Sequence, residues 1–252
     1  MLFAEKKQAC YEESINRRIE RYWDRRSEDF SSLRRRELKG TDGQLWLDLM
    51  ERHLPEGKHL RILDAGTGAG FFAILLSGCG HQVTGIDLSA EMIREAKKNM
   101  MEAGCRVDFC RMSAQELEFS DGIFDAVVSR NLTWTLPDVM EAYREWHRVL
   151  KPGGVLMNFD SDCGKLVFSK TDDQSNVHAG IEDELIAECN EIKDSLRITS
   201  HSRPEWDIRF LKSLGLSVEC EENIAPMVHR DPDMRYDNVP LFAIYGKKLA
   251  GH

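Results

Sequence analysis

Between residues 60 and 160, short apolar runs rich in β-branched residues alternate with stretches whose apolar positions recur at helical spacing. The runs Leu60–Ala65, Gln82–Asp87, Arg106–Phe109, Phe124–Ser129 and Gly154–Phe159 predict five strands. Between them the pattern predicts helices over Gly70–Gly78, Ala90–Ala103 with Ser89 as N-cap, and Pro137–Leu150 with Pro in its first turn and Lys151-Pro-Gly-Gly154 as its stop. Strand alternating with helix implies an α/β domain built on a parallel sheet. Ahead of it, residues 5–53 read as almost wholly helical, with Ile15, Ile19, Tyr22 and Trp23 at helical spacing, so that 1–53 forms a helical N-terminal extension to a domain over 54–252. The rhythm breaks at 161–203, an insertion that is first polar and then helical over Ile181–Leu196. It resumes with a helix at Pro204–Leu214 and strands at Leu216–Cys220 and Pro240–Tyr245.

Composition narrows the function classes. The net charge is −9, but residues 1–40 carry 11 basic against 8 acidic side chains, leaving −12 for the rest. An acidic main domain is a poor partner for a phosphate backbone, which is bound largely by Lys and Arg, so no nucleic-acid role is expected, and Arg34-Arg-Arg36 reads as a solvated helix face. The seven cysteines are scattered, with no C-x-x-C pair, which argues against a disulfide framework or a metal site. Met1-Leu-Phe-Ala-Glu-Lys-Lys7 reaches charge before a signal core could form, and the longest purely apolar run is Phe71 to Leu76. A cytoplasmic protein without a membrane role is the expectation.

The strongest chemical signal is Ile62-Leu-Asp-Ala-Gly-Thr-Gly-Ala-Gly70, a strand running through a glycine-rich turn into a helix. Such a turn lets a ligand sit almost against the backbone, and the free N–H groups of a helix start face negative charge. Asp87 ends the next strand, 21 residues after Gly66, close to the ~20 at which a carboxylate meets ribose hydroxyls. The pair points to an adenosine-type ligand.

Together Asp64-Ala-Gly-Thr-Gly-Ala-Gly70, Gly85-Ile-Asp-Leu-Ser89, Phe124-Asp-Ala-Val-Val-Ser129 and Leu150-Lys-Pro-Gly-Gly154 resemble the class I methyltransferases of the ubiquinone/menaquinone-biosynthesis-like (methyltransferase type 11) group, well over residues 50–160 and loosely beyond. The resemblance implies a Rossmann-like seven-stranded, mostly parallel sheet with an antiparallel last strand. It also implies S-adenosylmethionine as cofactor, S-adenosylhomocysteine as product and a small-molecule acceptor. Carried over by position, it puts Asp64, Gly66, Thr67, Gly68 and Gly70 at the methionine and ribose end, Asp87 on the ribose hydroxyls and Leu88 against the adenine. Ser113 and Ala114 stand where relatives often have Asp-Ala beside the adenine.

After the fourth strand, Arg130 and Asn131 are placed to meet the cofactor's carboxylate or the acceptor, and Trp134 either walls the pocket or packs beneath the next helix. This segment lacks the Asn/Asp-Pro-Pro-Tyr/Phe signature of nucleic-acid amino-methylating enzymes. Tyr22, in Arg21-Tyr-Trp-Asp-Arg-Arg26, is the candidate for a lid contact with the cofactor. Methyl transfer from a sulfonium is an in-line displacement that asks mainly for alignment, with a base only for a protonated acceptor. Asp160, at the end of the fifth strand, and His201, in the insertion, are the candidates for that base. Cys163 opens a thiol-using variant, and His147 reads as structural. Two competing readings stand beside this one: a non-catalytic S-adenosylmethionine-binding sensor, and a nicotinamide-dependent oxidoreductase, whose G-x-G-x-x-G spacing would need glycine where Phe71 stands. The acceptor atom and the oligomeric state carry no sequence signal.

Overall fold

A computed structural model describes residues 2–249 apart from Gln174, with side chains from Glu13 onward. Seven strands form one sheet in the order β3-β2-β1-β4-β5-β7-β6. They are β1 (Arg61–Ala65), β2 (Gln82–Asp87), β3 (Asp108–Arg111), β4 (Phe124–Arg130), β5 (Leu150–Ser161), β6 (Leu216–Glu221) and β7 (Leu241–Lys248). The first five are parallel and β7 lies antiparallel between β5 and β6. Side chains alternate strictly across the sheet, as the period of an extended chain demands. Leu63, Val127, Leu156 and Ile244 face one core, while Ile62, Val128, Met157 and Ala243 face the other. Both faces are covered, which explains why these strands read as apolar runs rather than alternating ones.

The expected elements are present with shifted ends. β3 starts at Asp108 rather than Arg106; it is an edge strand with little buried side chain to mark its limits. β5 begins at Leu150 because Leu150 pairs with Phe124 ahead of an irregularity in the ladder, which absorbs the Pro-Gly-Gly segment read as a helix stop. The helix before it, α5, is accordingly Val139–Val149. The remaining long helices are α3 (Phe71–Gly78), α4 (Ala90–Ala103), α6 (Asp183–Ser195) and α7 (Glu205–Ser213), followed by the short α8 (Ala225–Val228).

The N-terminal extension is two helices, α1 (Leu2–Lys39) and α2 (Thr41–Glu51), broken at Gly40. A side chain at Gly43 would crowd the end of α1, its Cβ standing 3.1 Å from the Glu37 carbonyl, so the two helices meet closely. From Ile15 onward α1 is fastened to the rest of the protein. Asp24 accepts from the Ser89 hydroxyl at 2.5 Å, at the N-cap of α4, and Arg18 forks onto Glu188 of α6 at 2.6 and 2.8 Å. Arg35 and Ser31 meet Asn99, which itself donates to the Ala69 carbonyl behind the glycine turn. Ile15, Ile19 and Tyr22 are buried in the core shared with α5 and α6.

Candidate active site

The glycine turn is shaped by three left-handed residues, Gly66 (φ 69°), Gly68 (φ 51°) and Gly70 (φ 88°), a conformation that a Cβ disfavours. Thr67 N–H donates to the Ile86 carbonyl at 2.8 Å, docking the turn on β2. That approach needs Gly85, where a Cβ would stand 2.6 Å from Phe109 and 2.9 Å from Thr67. Asp64 braces the turn from below: its Oδ2 accepts from the Thr67 hydroxyl at 2.6 Å and from Ala73 N–H at 3.1 Å. Burial pushes this carboxyl up to about 7 despite those bonds. Asp87 accepts from Gly68 N–H (2.9 Å, Oδ2) and Ser89 N–H (2.9 Å, Oδ1), and burial pushes it up to about 6. Each of its oxygens keeps a lone pair beyond the backbone bond.

A cavity of about 230 Å³ opens over the carboxyl ends of the parallel strands. Asp64, Gly66, Thr67, Gly68, Asp87, Leu88, Ser113, Ala114, Arg130 and Asn131 all line it. Gly70 does not line it: a Cβ there would meet Phe109, Ala96 and Ile74, so this glycine serves helix packing behind the turn. From α1 the cavity receives Trp23, Phe30 and Arg34, and a Cβ on Gly68 would stand 3.1 Å from the Phe30 ring.

One end of this cavity holds a cationic cluster that local sequence patterns do not reveal. The Arg130 guanidinium lies 4.4 Å from the Trp46 ring centroid and 5.0 Å from that of Phe71, and its Nη2 donates to Glu37 at 2.7 Å. Arg34 pairs with the other oxygen of Glu37. Burial works against the Glu37 carboxylate, but the two guanidiniums hold it at about 2. Burial and the neighbouring Arg130 push His229 down to about 3, so it is neutral. The cluster therefore carries two cations against one anion. Its remaining donors have capacity to spare: Arg130 Nε and Nη1 and the Tyr236 hydroxyl are buried without a well-formed hydrogen bond, although Tyr236 lies close enough to Arg130 to interact with it. Arg34 is buried, which corrects the solvated-face reading of Arg34-Arg-Arg36 for that residue; Arg36 is exposed.

A second cavity of about 430 Å³ adjoins the first and is walled by α1, α6 and the segment 166–171. Tyr22 faces this one and not the cavity beside the glycine turn, its hydroxyl accepting from Arg26 at 3.1 Å. The helical stripe turns it toward Cys189 and Ile186, while Trp23, one residue on, faces both cavities. Trp134 also lines both, so it walls the site rather than packing beneath a helix.

The two residues expected as candidate bases are placed elsewhere. Asp160 is fully buried. It accepts from the Thr133 hydroxyl, Trp134 N–H (3.1 Å) and Arg203 (3.4 Å), which shapes the loop after β4 and leaves it facing neither cavity. Arg203 in turn forks onto Asp207 at 2.8 and 2.9 Å, and Asp207 accepts from the Tyr143 hydroxyl at 2.6 Å. His201 stacks on Trp206 with centroids 4.6 Å apart and lines neither cavity. Cys163 reaches the first cavity, but burial raises its thiol far above the ordinary range, so it is no thiolate. Among the described residues no group of three His, Cys, Asp or Glu could hold a metal ion, and no helix is long and apolar enough to cross a membrane.

A glycine turn with a carboxylate at the next strand's end is the arrangement against which known families can be compared. A family model described as a methyltransferase domain matches residues 62–154, from within β1 to the Gly-Gly before the main run of β5. Over residues 62–154 the chain is thus similar to a methyltransferase domain. The YqeM protein of Bacillus subtilis, named as a methyltransferase, is 40% identical over 116 residues, 44% of this chain and 46% of that protein. The ubiquinone biosynthesis O-methyltransferase of Pseudomonas aeruginosa is 33% identical over 140 residues, 53% and 55%. The chain thus spans about half the length of the curated relatives it matches. The fold extends further than the sequence similarity: a SAM-dependent methyltransferase structure from Aquifex aeolicus superposes over 85% of this chain and 97% of its own, with a TM-score of 0.55 at 18% identity. The chain shares that fold, and residues of the N-terminal helices and of 161–203, outside the matched stretch, also line the cavity.

Proposed function

We propose that the protein is a cytoplasmic enzyme that transfers the methyl group of S-adenosylmethionine to a small-molecule acceptor. One observation carries this reading. The cavity presents a hydrogen-bond-accepting carboxylate, Asp87, near one end and a net-positive cluster with donors to spare, Arg130 with Arg34 and Tyr236, near the other, with bare glycine backbone between. A nucleoside that bears an amino acid matches that pattern: ribose hydroxyls donate to Asp87, and an α-carboxylate satisfies the Arg130 donors that the protein leaves without a well-formed hydrogen bond. Leu88, Met112 and Ala114 supply an apolar slot for the base, with Ser113 and Gln115 as polar edges.

The bound cofactor supplies an activated methyl group on a sulfonium. The chain's own residues hold it in place, exclude water and bring the acceptor into line. Trp23, Phe30 and Trp134 form the aromatic wall between the two cavities and favour a cation beside their faces. In this reading residues 1–53 act as a lid and 161–203 cover the acceptor. Arg18 and Arg25 of α1 are paired with Glu188 and Glu184, which favours a small acceptor over a polynucleotide that would need such cations free. The test is turnover: incubation with S-adenosylmethionine and a panel of small phenols, amines and thiols should give S-adenosylhomocysteine in step with a methylated acceptor. Binding without turnover on any acceptor would support a sensor instead.

A further inference from the structure

Eight residues line both cavities, and six of them, Trp23, Phe30, Trp134, Leu166, Phe168 and Val239, are apolar or aromatic. The other two are His178 and Asp237. His178 Nε2 lies 3.3 Å from Asp237 Oδ2. The pair is held from both sides. Asn176 spans it, donating from its Nδ2 to Asp237 Oδ1 at 3.4 Å and accepting on its Oδ1 from the His178 backbone N–H at 2.7 Å. The two loops that carry the pair are laced by Val177 N–H to the Arg235 carbonyl and Arg235 N–H to the Ser175 carbonyl, both at 2.8 Å. A carboxylate on Nε2 keeps the proton on that nitrogen and leaves the lone pair on Nδ1. Among the described residues Nδ1 has no partner. The bond from His178 holds the Asp237 carboxyl below its ordinary range, so it stays ionised.

Around the second cavity Lys170 pairs with Asp183 at 3.0 Å, Arg26 donates to the Tyr22 hydroxyl and keeps its Nε unpaired, and burial pushes the Cys189 thiol up. The cavity's volume and its aromatic and aliphatic walls suit a ring-bearing molecule. A phenol at neutral pH keeps its proton, with a pKa of about 10, and needs a base to become a nucleophile. A protonated amine would instead be favoured by a free carboxylate, and here the two Asp237 oxygens are engaged, Oδ2 by His178 and Oδ1 by Asn176.

We propose that His178 is the general base for a phenolic acceptor bound in the second cavity, and that Asp237 is its positioning residue. The proposal rests on the methyl-transfer reading above. The acceptor's O–H proton passes to His178 Nδ1 while an oxygen lone pair forms the new O–C bond to the methyl carbon. The C–S bond breaks and its electron pair stays on sulfur, leaving a neutral thioether. The imidazolium is balanced by Asp237 until its proton leaves to water.

The test uses the full chain with S-adenosylmethionine and two acceptors, catechol and the far more acidic 4-nitrocatechol, which is largely ionised in mildly alkaline buffer. His178→Gln should lower kcat on catechol by ~100-fold or more, within the range for a general base, and on 4-nitrocatechol by under ~10-fold, with KM and cofactor affinity within about threefold. Asp237→Asn should lower kcat on catechol without raising KM. An equal loss on both acceptors would mean that His178 only supports the fold. Cofactor binding by calorimetry without methylation of either catechol would also overturn the proposal while leaving the methyl-transfer reading intact. Absence of cofactor binding would overturn both.

Discussion

Replacing Arg130 by Met separates a ligand-binding role for the cationic cluster from a structural one. Met keeps the aliphatic stem over Trp46 and Phe71, and Glu37 retains Arg34 as its counter-charge, so the substitution leaves a neutral buried pair rather than a stranded carboxylate. The loss of one charged hydrogen bond to Glu37 should cost the fold about 1.5–3 kcal/mol. Binding should suffer through two further donors, Nε and Nη1, which have no well-formed hydrogen bond in the protein. At about 1.5–3 kcal/mol for each charge-assisted bond, less the cost of desolvating the incoming carboxylate, the net loss should be about 2–4 kcal/mol, or roughly 30- to 1,000-fold in Kd. The assay is a double cycle by calorimetry: native protein and Arg130→Met, each titrated with S-adenosylmethionine and with its decarboxylated analogue. The native protein should prefer the carboxylated ligand, and the variant should lose most of that preference while binding the analogue about equally well. A preference that survives the substitution would refute the assignment of Arg130 to the carboxylate, whatever happens to absolute affinity.

Asp64 yields a pH test. Its carboxyl, normally at 3.8, is raised to about 7 by burial, so between those values the native state holds a proton that the unfolded state has released, and stability falls as pH rises through that window. Asp64→Asn, whose amide oxygen can still accept from Thr67 and Ala73, should therefore gain up to ~4 kcal/mol, about 8–16 °C in Tm, relative to the native chain as pH rises from about 4 to about 7; a constant offset at both would mean that the raised pKa is absent. Tyr22→Phe should leave cofactor affinity within about twofold, whereas Phe30→Ala, which uncovers Gly68, should weaken it by about tenfold or ~1.4 kcal/mol in calorimetry; the reverse order would return the lid contact to Tyr22. Arg203→Met leaves Asp160 and Asp207 buried together without their cation, and urea unfolding should show a loss of about 3–5 kcal/mol. A loss under about 1 kcal/mol would show that this network is not what holds α7 to the sheet.

What the chain reveals without its structure is whatever depends on neighbours in sequence. The glycine turn, the Ser89 cap, Asp87 and the strand cores are each specified by a local period or a single conformational demand, and all are found at or within a few residues of the positions read. Asp160 shows the limit. A carboxylate at the end of a strand reads as a site residue, but here Thr133, 27 residues earlier, and Arg203, 43 residues later, close on it and turn it into a brace. The Arg34–Glu37–Arg130 cluster was hidden for the complementary reason: half of it lies in a helix whose charges look like a solvated face, and its partner is 93 residues away. His178 and Asp237 sit in irregular loops joined by a single isolated bridge, Asn176 to Arg235, which no periodicity announces. Tyr22 and Trp23 are adjacent on one helical stripe, and only the packing of α6 decides which of them meets the cavity at the turn.

The central claim is that the cavity over the glycine turn is built for S-adenosylmethionine, and its most direct test is a calorimetric titration of the full chain with S-adenosylmethionine, S-adenosylhomocysteine and NADH. The geometry predicts one site per chain with a Kd in the micromolar range for the first two, about −8 kcal/mol, and no heat of binding with NADH. Binding of NADH with none of the sulfonium compound would contradict the account at its root.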